Sequence, residues 1–150
     1  MSIIVDKVDV VNPQGKFTDD FIFDITIECT SPISTFIKLE VIYVGSTQQG
    51  SEYEQILASK KIGPIEVGLS RFVIKAKPPQ VSKIPFEEAA LAGLTVRALY
   101  KDQEFNKILY FVSNEIPATA TSFDGLDLST IDREVDDENK TVHPKQINWK

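Results

Sequence analysis

Residues 20–30 read DFIFDITIECT. Phe21, Phe23, Ile25, Ile27 and Cys29 take alternate positions, and Asp24, Thr26 and Glu28 fill the places between them. Successive side chains of an extended strand point to opposite faces, so this alternation marks a strand with one buried and one wet side. Working outward, NPQGK at 12–16 supplies a turn, because proline fixes φ and glycine permits positive φ. The N-terminal MSIIVDKVDV alternates as well, which reads as a first strand rather than a signal peptide. On the other side, FIKLEVIYV at 36–44 places Ile37, Leu39, Val41 and Tyr43 inward and Lys38, Glu40, Ile42 and Val44 outward.

Further strands are predicted over 53–60, 71–77, 94–100 and 104–113, punctuated by Gly63-Pro64, Gly68 and Pro78-Pro79. One helix is predicted, PFEEAALAG at 85–93: Pro85 suits a first helical position, Glu87 and Glu88 the positive N-terminus, and Gly93 the exit. Many short strands with regular turns and almost no helix point to an all-β fold. The expected form is an immunoglobulin-like antiparallel β-sandwich over residues 1–116 with short helical connections. Residues 117–150 have little periodicity and carry an acidic run, Glu134 and Asp136–Glu138. They are expected to be extended and partly mobile, with 146–149 docking back because an exposed Trp149 wastes its burial energy.

A chain of 150 residues suits one domain with its own core. No apolar run approaches the ~20 residues needed to cross a bilayer. The net charge of −6 disfavours phosphate neutralisation, which needs clustered lysine and arginine; only Lys60–Lys61 stand together. Direct nucleic-acid and membrane binding are therefore not expected, and basic partners are.

Cys29 is the single cysteine and His143 the single histidine, so neither a disulfide nor a His/Cys metal cluster can be built, and no cofactor is implied. His143 lies beside Pro144 in the least periodic part of the chain, a poor setting for a general base. No phosphate-binding glycine loop, HExxH or GxSxG occurs. Catalysis is not expected.

Five stretches in order carry a resemblance: VVNPQGKFTDDFIFDITIEC (10–29), VIYVGS…EYEQIL…IGPI (41–65), AGLTV (92–96), QEFNKILYFVSNE (103–115) and INW (147–149). Together they resemble the anti-silencing function family of histone H3–H4 chaperones. The resemblance implies a nuclear, monomeric protein that binds one H3–H4 heterodimer for nucleosome assembly and disassembly. It implies an H3 helix laid in an apolar groove and the H4 C-terminus captured as an added strand.

Carried onto this sequence, the resemblance gives Val44 an apolar contact, Thr47 and Gln48 the rim, and Glu54 a pairing role with basic H3 side chains. Lys107 takes an arginine position, Tyr110 and Phe111 match an aromatic pair, and the tail arginine that helps hold H4 in the family either corresponds to Lys145 or is missing. The residue pattern adds that Lys107, Leu109, Phe111 and Ser113 share one strand face.

The strand at 93–100 has two possible registers. One places Leu94 and Val96 in the groove. The other places Gly93 and Thr95 there and turns Arg97 outward, which avoids burying an unpaired charge. On the opposite side of the sandwich the resemblance implies a face for assembly-factor peptides of HIRA or chromatin assembly factor type, here Phe36, Ile37, Ile62 and Phe72. Thr35 and Phe36 stand where the family has an acidic pair. The alternative function is an immunoglobulin-like adaptor for a basic or amphipathic peptide unrelated to histones.

Overall fold

The computed structural model describes residues 2–46 and 53–150. Among the described residues, nine strands make two antiparallel sheets. They are β1 (Ile3–Val10), β2 (Gln14–Lys16), β3 (Phe21–Cys29), β4 (Ile37–Val44), β5 (Glu54–Ile62), β6 (Gly68–Ala76), β7 (Leu91–Tyr100), β8 (Gln103–Asn114) and β9 (Asp132–Pro144). The smaller sheet has the order β1-β3-β6 and the larger the order β2-β9-β8-β7-β4-β5. The sandwich implied by the alternating sequence is the one observed.

The decisive strand behaves as its pattern requires. The inward row of β3, namely Phe21, Phe23, Ile25, Ile27 and Cys29, is buried throughout. That row faces the inward side of the larger sheet, where Ile37, Leu39, Val41 and Tyr43 of β4 lie beside Leu94 and Val96 of β7 and Ile108, Tyr110 and Val112 of β8. Phe21 meets Tyr43 at 6.2 Å and Phe23 meets Tyr110 at 5.8 Å between ring centroids, so aromatic contacts join the two sheets. Where the core carries polar groups they are mostly held: Asn114 Nδ2 donates to Tyr43 Oη at 3.2 Å and to the Ala89 carbonyl at 2.9 Å. Burial pushes the Tyr43 phenol above its ordinary range, and that hydrogen bond opposes the rise.

Two expectations change. The helix over 85–93 is only a 3-10 turn at Phe86–Glu88, and β7 begins at Leu91. A segment this short cannot repay helix nucleation, whereas Ala92 and Leu94 gain burial at alternate positions on the sheet. Within residues 117–150, read from sequence as extended and partly mobile, there is a regular strand. Asp132–Pro144 is the ninth strand, paired with β8 along much of its length and with β2 near its start. Ile131, Arg133 and Val135 are buried there.

Arg133 shows how an acidic, weakly alternating segment is held in a sheet. Its guanidinium donates to the Asp19 carbonyl at 2.6 Å and the Asp20 carbonyl at 3.2 Å, and lies 3.8 Å from the Phe21 ring centroid. Burial lowers its pKa, with the nearby Asp19 carboxylate pulling the other way. At the chain end Trp149 stacks on Tyr100 at 5.2 Å and packs on Phe105 at 4.8 Å.

Candidate functional site

The outward face of the larger sheet is ordered in rows by strand register. Glu54 of β5 lies across from Val44 of β4, Val44 from Gly93 of β7, Gly93 from Phe111 of β8, and Phe111 from Asp136 of β9. The neighbouring row runs Ile56, Ile42, Thr95, Leu109 and Thr141. A third runs Ser59, Glu40, Arg97, Lys107 and His143. The first row is therefore apolar in its middle and acidic at both ends.

Gly93 gives this row its shape. With no side chain between half-buried Val44 and Phe111, which is 54% exposed, the surface dips. A Cβ at Gly93 would meet the Val44 Cβ at 3.4 Å, an ordinary van der Waals contact, so packing alone does not require glycine there. Ile56, Leu91 and Leu109 are also exposed and extend the apolar surface around it. An adjoining depression of about 410 Å³ is lined by Ile42, Glu54, Ile56, Thr95, Arg97, Glu104 and Lys107.

The charges around the hollow differ in how far they are committed. Arg97 binds the buried Glu40 carboxylate, with Nε at 2.7 Å and Nη2 at 2.6 Å from Oε1, and Glu104 lies 3.8 Å away. Lys38 adds a contact to Glu40 at 3.8 Å. Arg97 is thus spent within the protein, while Lys107 has no ion pair among the described residues. Asp136 accepts from Asn139 Nδ2 at 2.9 Å and from the backbone N–H groups of Asn139 and Glu138. The Asn139 side chain, with these backbone donors, holds the Asp136 carboxyl below the usual range, so the acidic end of the row stays ionised.

Of the groove residues named from sequence, Val44, Glu54, Lys107 and Phe111 lie on this one face. Leu94, Val96 and Tyr110 do not. All three are buried between the sheets, because the register pairs Leu94 with Tyr43 and Tyr110, and Val96 with Val41 and Ile108. The register that turns Gly93, Thr95 and Arg97 outward is the observed one, and Glu40 supplies the partner that Arg97 needs. Burial pushes the Tyr110 phenol well above its ordinary range. Thr47 and Gln48 lie outside the described residues.

Lys145 is exposed, with its N–H donating to the Phe105 carbonyl at 2.9 Å. It is displaced by about six residues of strand from Phe111, roughly 20 Å, and so does not join the row. Leu91 escaped the sequence reading because it was placed in a helix. Ile56 depends on a register shift in the β4–β5 pairing, and Asp136 on a long-range pairing; neither leaves a local pattern.

On the other side, Phe36 is 42% exposed and Ile62 and Phe72 are half-buried. Ile37 has no exposure and belongs to the core, since its side chain follows the inward row of β4.

The family model for ASF1-like histone chaperones matches residues 1–150. The chain belongs to the ASF1-like histone chaperone family. Among its relatives, Histone chaperone ASF1 of Mycosarcoma maydis is 35% identical over 156 residues, covering 99% of this chain and 88% of that protein. Histone chaperone asf1 of Dictyostelium discoideum is 37% identical over 155 residues, covering 95% of each. Histone chaperone ASF1 of Chaetomium globosum is 42% identical over 111 residues, or 72% of this chain. The match spans 39% of the Chaetomium protein and 48% of Histone chaperone cia1 of Schizosaccharomyces pombe.

Proposed function

We propose that this chain is a nuclear histone chaperone that holds one H3–H4 heterodimer through the outer face of its larger sheet, for nucleosome assembly and disassembly. The supporting observation is the row from Glu54 through Val44, Gly93 and Phe111 to Asp136. An amphipathic helix presents an apolar stripe with flanking charges, and its stripe fills a hollow while basic flanks meet carboxylates. No bond is made or broken; the protein acts by covering the H3 surface through which two heterodimers would otherwise join.

A second contact follows from the sheet edge. From Thr141 to Pro144, β9 pairs with β8 on one side and with no strand on the other among the described residues. That edge suits the H4 C-terminus as an added strand, with Lys145 just beyond it. An assembly-factor peptide of HIRA or chromatin assembly factor type would use the flank near Phe36, Ile62 and Phe72. The test is co-elution of the chain with refolded H3–H4 at moderate salt. A complex of one chain with one heterodimer supports the proposal, and no complex, or equal binding to any basic protein, overturns it.

A further inference from the structure

Glu40 stands at an outward position of β4 and is nevertheless buried, with a side chain only 6% exposed. A carboxylate leaves water only when it is paired and hydrogen-bonded. Arg97, its cross-strand neighbour on β7, covers it: Nε and Nη2 both bind Oε1, and Lys38 approaches Oε2 at 3.8 Å. A buried ion pair is often no more stabilising than apolar side chains of the same volume. Stability alone therefore does not account for this one.

The depression beside the apolar row is lined by two carboxylates, Glu54 and Glu104, and by two cations, Arg97 and Lys107. Arg97 lies directly across from Lys107, and His143 follows Lys107 in the same row. Like charges side by side repel each other, and a cationic row on this face would also repel a basic partner. Glu40 offsets the Arg97 charge and draws the guanidinium to itself. Nη1 stays 3.8 Å from Glu104, beyond hydrogen-bond length. Glu54 has no ion pair among the described residues. The Arg97 side chain is 33% exposed, so without Glu40 it is free to swing onto Glu104.

We propose that Glu40 is a positioning residue for the histone face: by holding Arg97, it leaves Glu54 and Glu104 to a lysine or arginine side chain of the partner. The apolar stem of that side chain lies on Ile42 and Ile56, and its cation meets the two carboxylates. This role rests on the histone reading. It adds a residue that acts through Arg97 rather than by touching the partner.

The test compares the full chain with two variants, Glu40→Met and the double substitution Glu40→Met, Arg97→Gln. Arginine side-chain NMR of the free protein reads Arg97 first. Loss of its charged acceptor is expected to speed exchange of the Nε–H by about tenfold or more. Titration with refolded H3–H4 at low ionic strength, where exposed charges are least screened, then gives the affinity. Glu40→Met is expected to weaken binding about three- to fivefold, the worth of one exposed ion pair, and the double variant to return it to within about twofold of the unaltered chain. Glu40→Gln, which keeps the shape and removes the charge, repeats the measurement with the least disturbance to packing, and weaker binding is expected again. A merely structural role predicts that the double variant binds no better than the single one. That result, an unchanged affinity in both single variants, or unchanged Arg97 exchange in Glu40→Met would overturn the proposal. If the unaltered chain formed no complex with H3–H4, the histone reading and this role would fall together. With that complex formed, the other outcomes bear on Glu40 alone.

Discussion

Replacing Val44 with arginine places a charge at the centre of the proposed histone contact. Val44 is half-buried in the free protein. Full burial of an apolar side chain of this kind contributes about 1.5–3 kcal/mol, so roughly 1 kcal/mol remains to be gained when a partner covers it. An arginine there loses that gain and must be desolvated beneath the partner helix, at an effective cost of several kcal/mol. Glu54, directly across the strand pair, returns no more than about 1 kcal/mol. The longer side chain can also lie over Gly93 and fill the hollow. The net loss is about 3–4 kcal/mol, or roughly 10²- to 10³-fold in Kd.

Stability should change little, within about 1 kcal/mol, because the side chain points away from the core at the end of β4. Isothermal titration with refolded H3–H4 gives the affinity, and circular dichroism with urea unfolding checks the fold. Glu54→Ala in the same assay should cost about fivefold or less, as an exposed ion pair is worth ~0–1 kcal/mol. A folded Val44→Arg protein that kept its affinity within a few-fold would refute the reasoning, as would a larger loss from Glu54→Ala.

Phe111→Ala should weaken H3–H4 binding by about ten- to a hundredfold through lost apolar burial, while the urea midpoint hardly moves; an unchanged Kd would remove Phe111 from the contact. Leu94→Ala should do the reverse and lower stability by about 2–5 kcal/mol, since it leaves a cavity between the sheets. Trp149→Ala should cost about 1–3 kcal/mol and speed amide exchange at Lys145, and an unaltered exchange rate would show that the ring does not anchor the chain end. Asn139→Ala should raise the Asp136 pKa toward the free-chain value of about 3.9, read by carboxyl NMR titration. The sign follows from a lowered folded pKa. This carboxylate supports the fold above its unfolded pKa, and the support fades as pH falls through the lower folded one; a rise in the Asp136 pKa on acid unfolding should therefore be seen.

Local alternation carries the decision about β3 and β4, because a period of two defines a buried face wherever a sheet has one wet side. It also turned Val44 outward and put Lys107 and Phe111 on one face of their strand, without saying which face that is. It does not choose between the two registers of β7, since Leu94, Thr95, Val96 and Arg97 offer acceptable residues to either side and a shift of one position exchanges the faces. Pairing with Tyr43 and Tyr110, together with the ion pair from Arg97 to Glu40, made that choice in the folded protein.

β9 is further from legibility. Its run of carboxylates lacks a buried stripe, and it becomes a strand because β8 and β2 offer hydrogen bonds and Arg133 finds carbonyls and a ring to bury against. By itself the sequence determined an all-β sandwich, an acidic chain with a single cysteine and a single histidine, and a family. Only the tertiary structure decided which residues line the hollow, because a row across a sheet is built from contacts among five strands whose order no local pattern records.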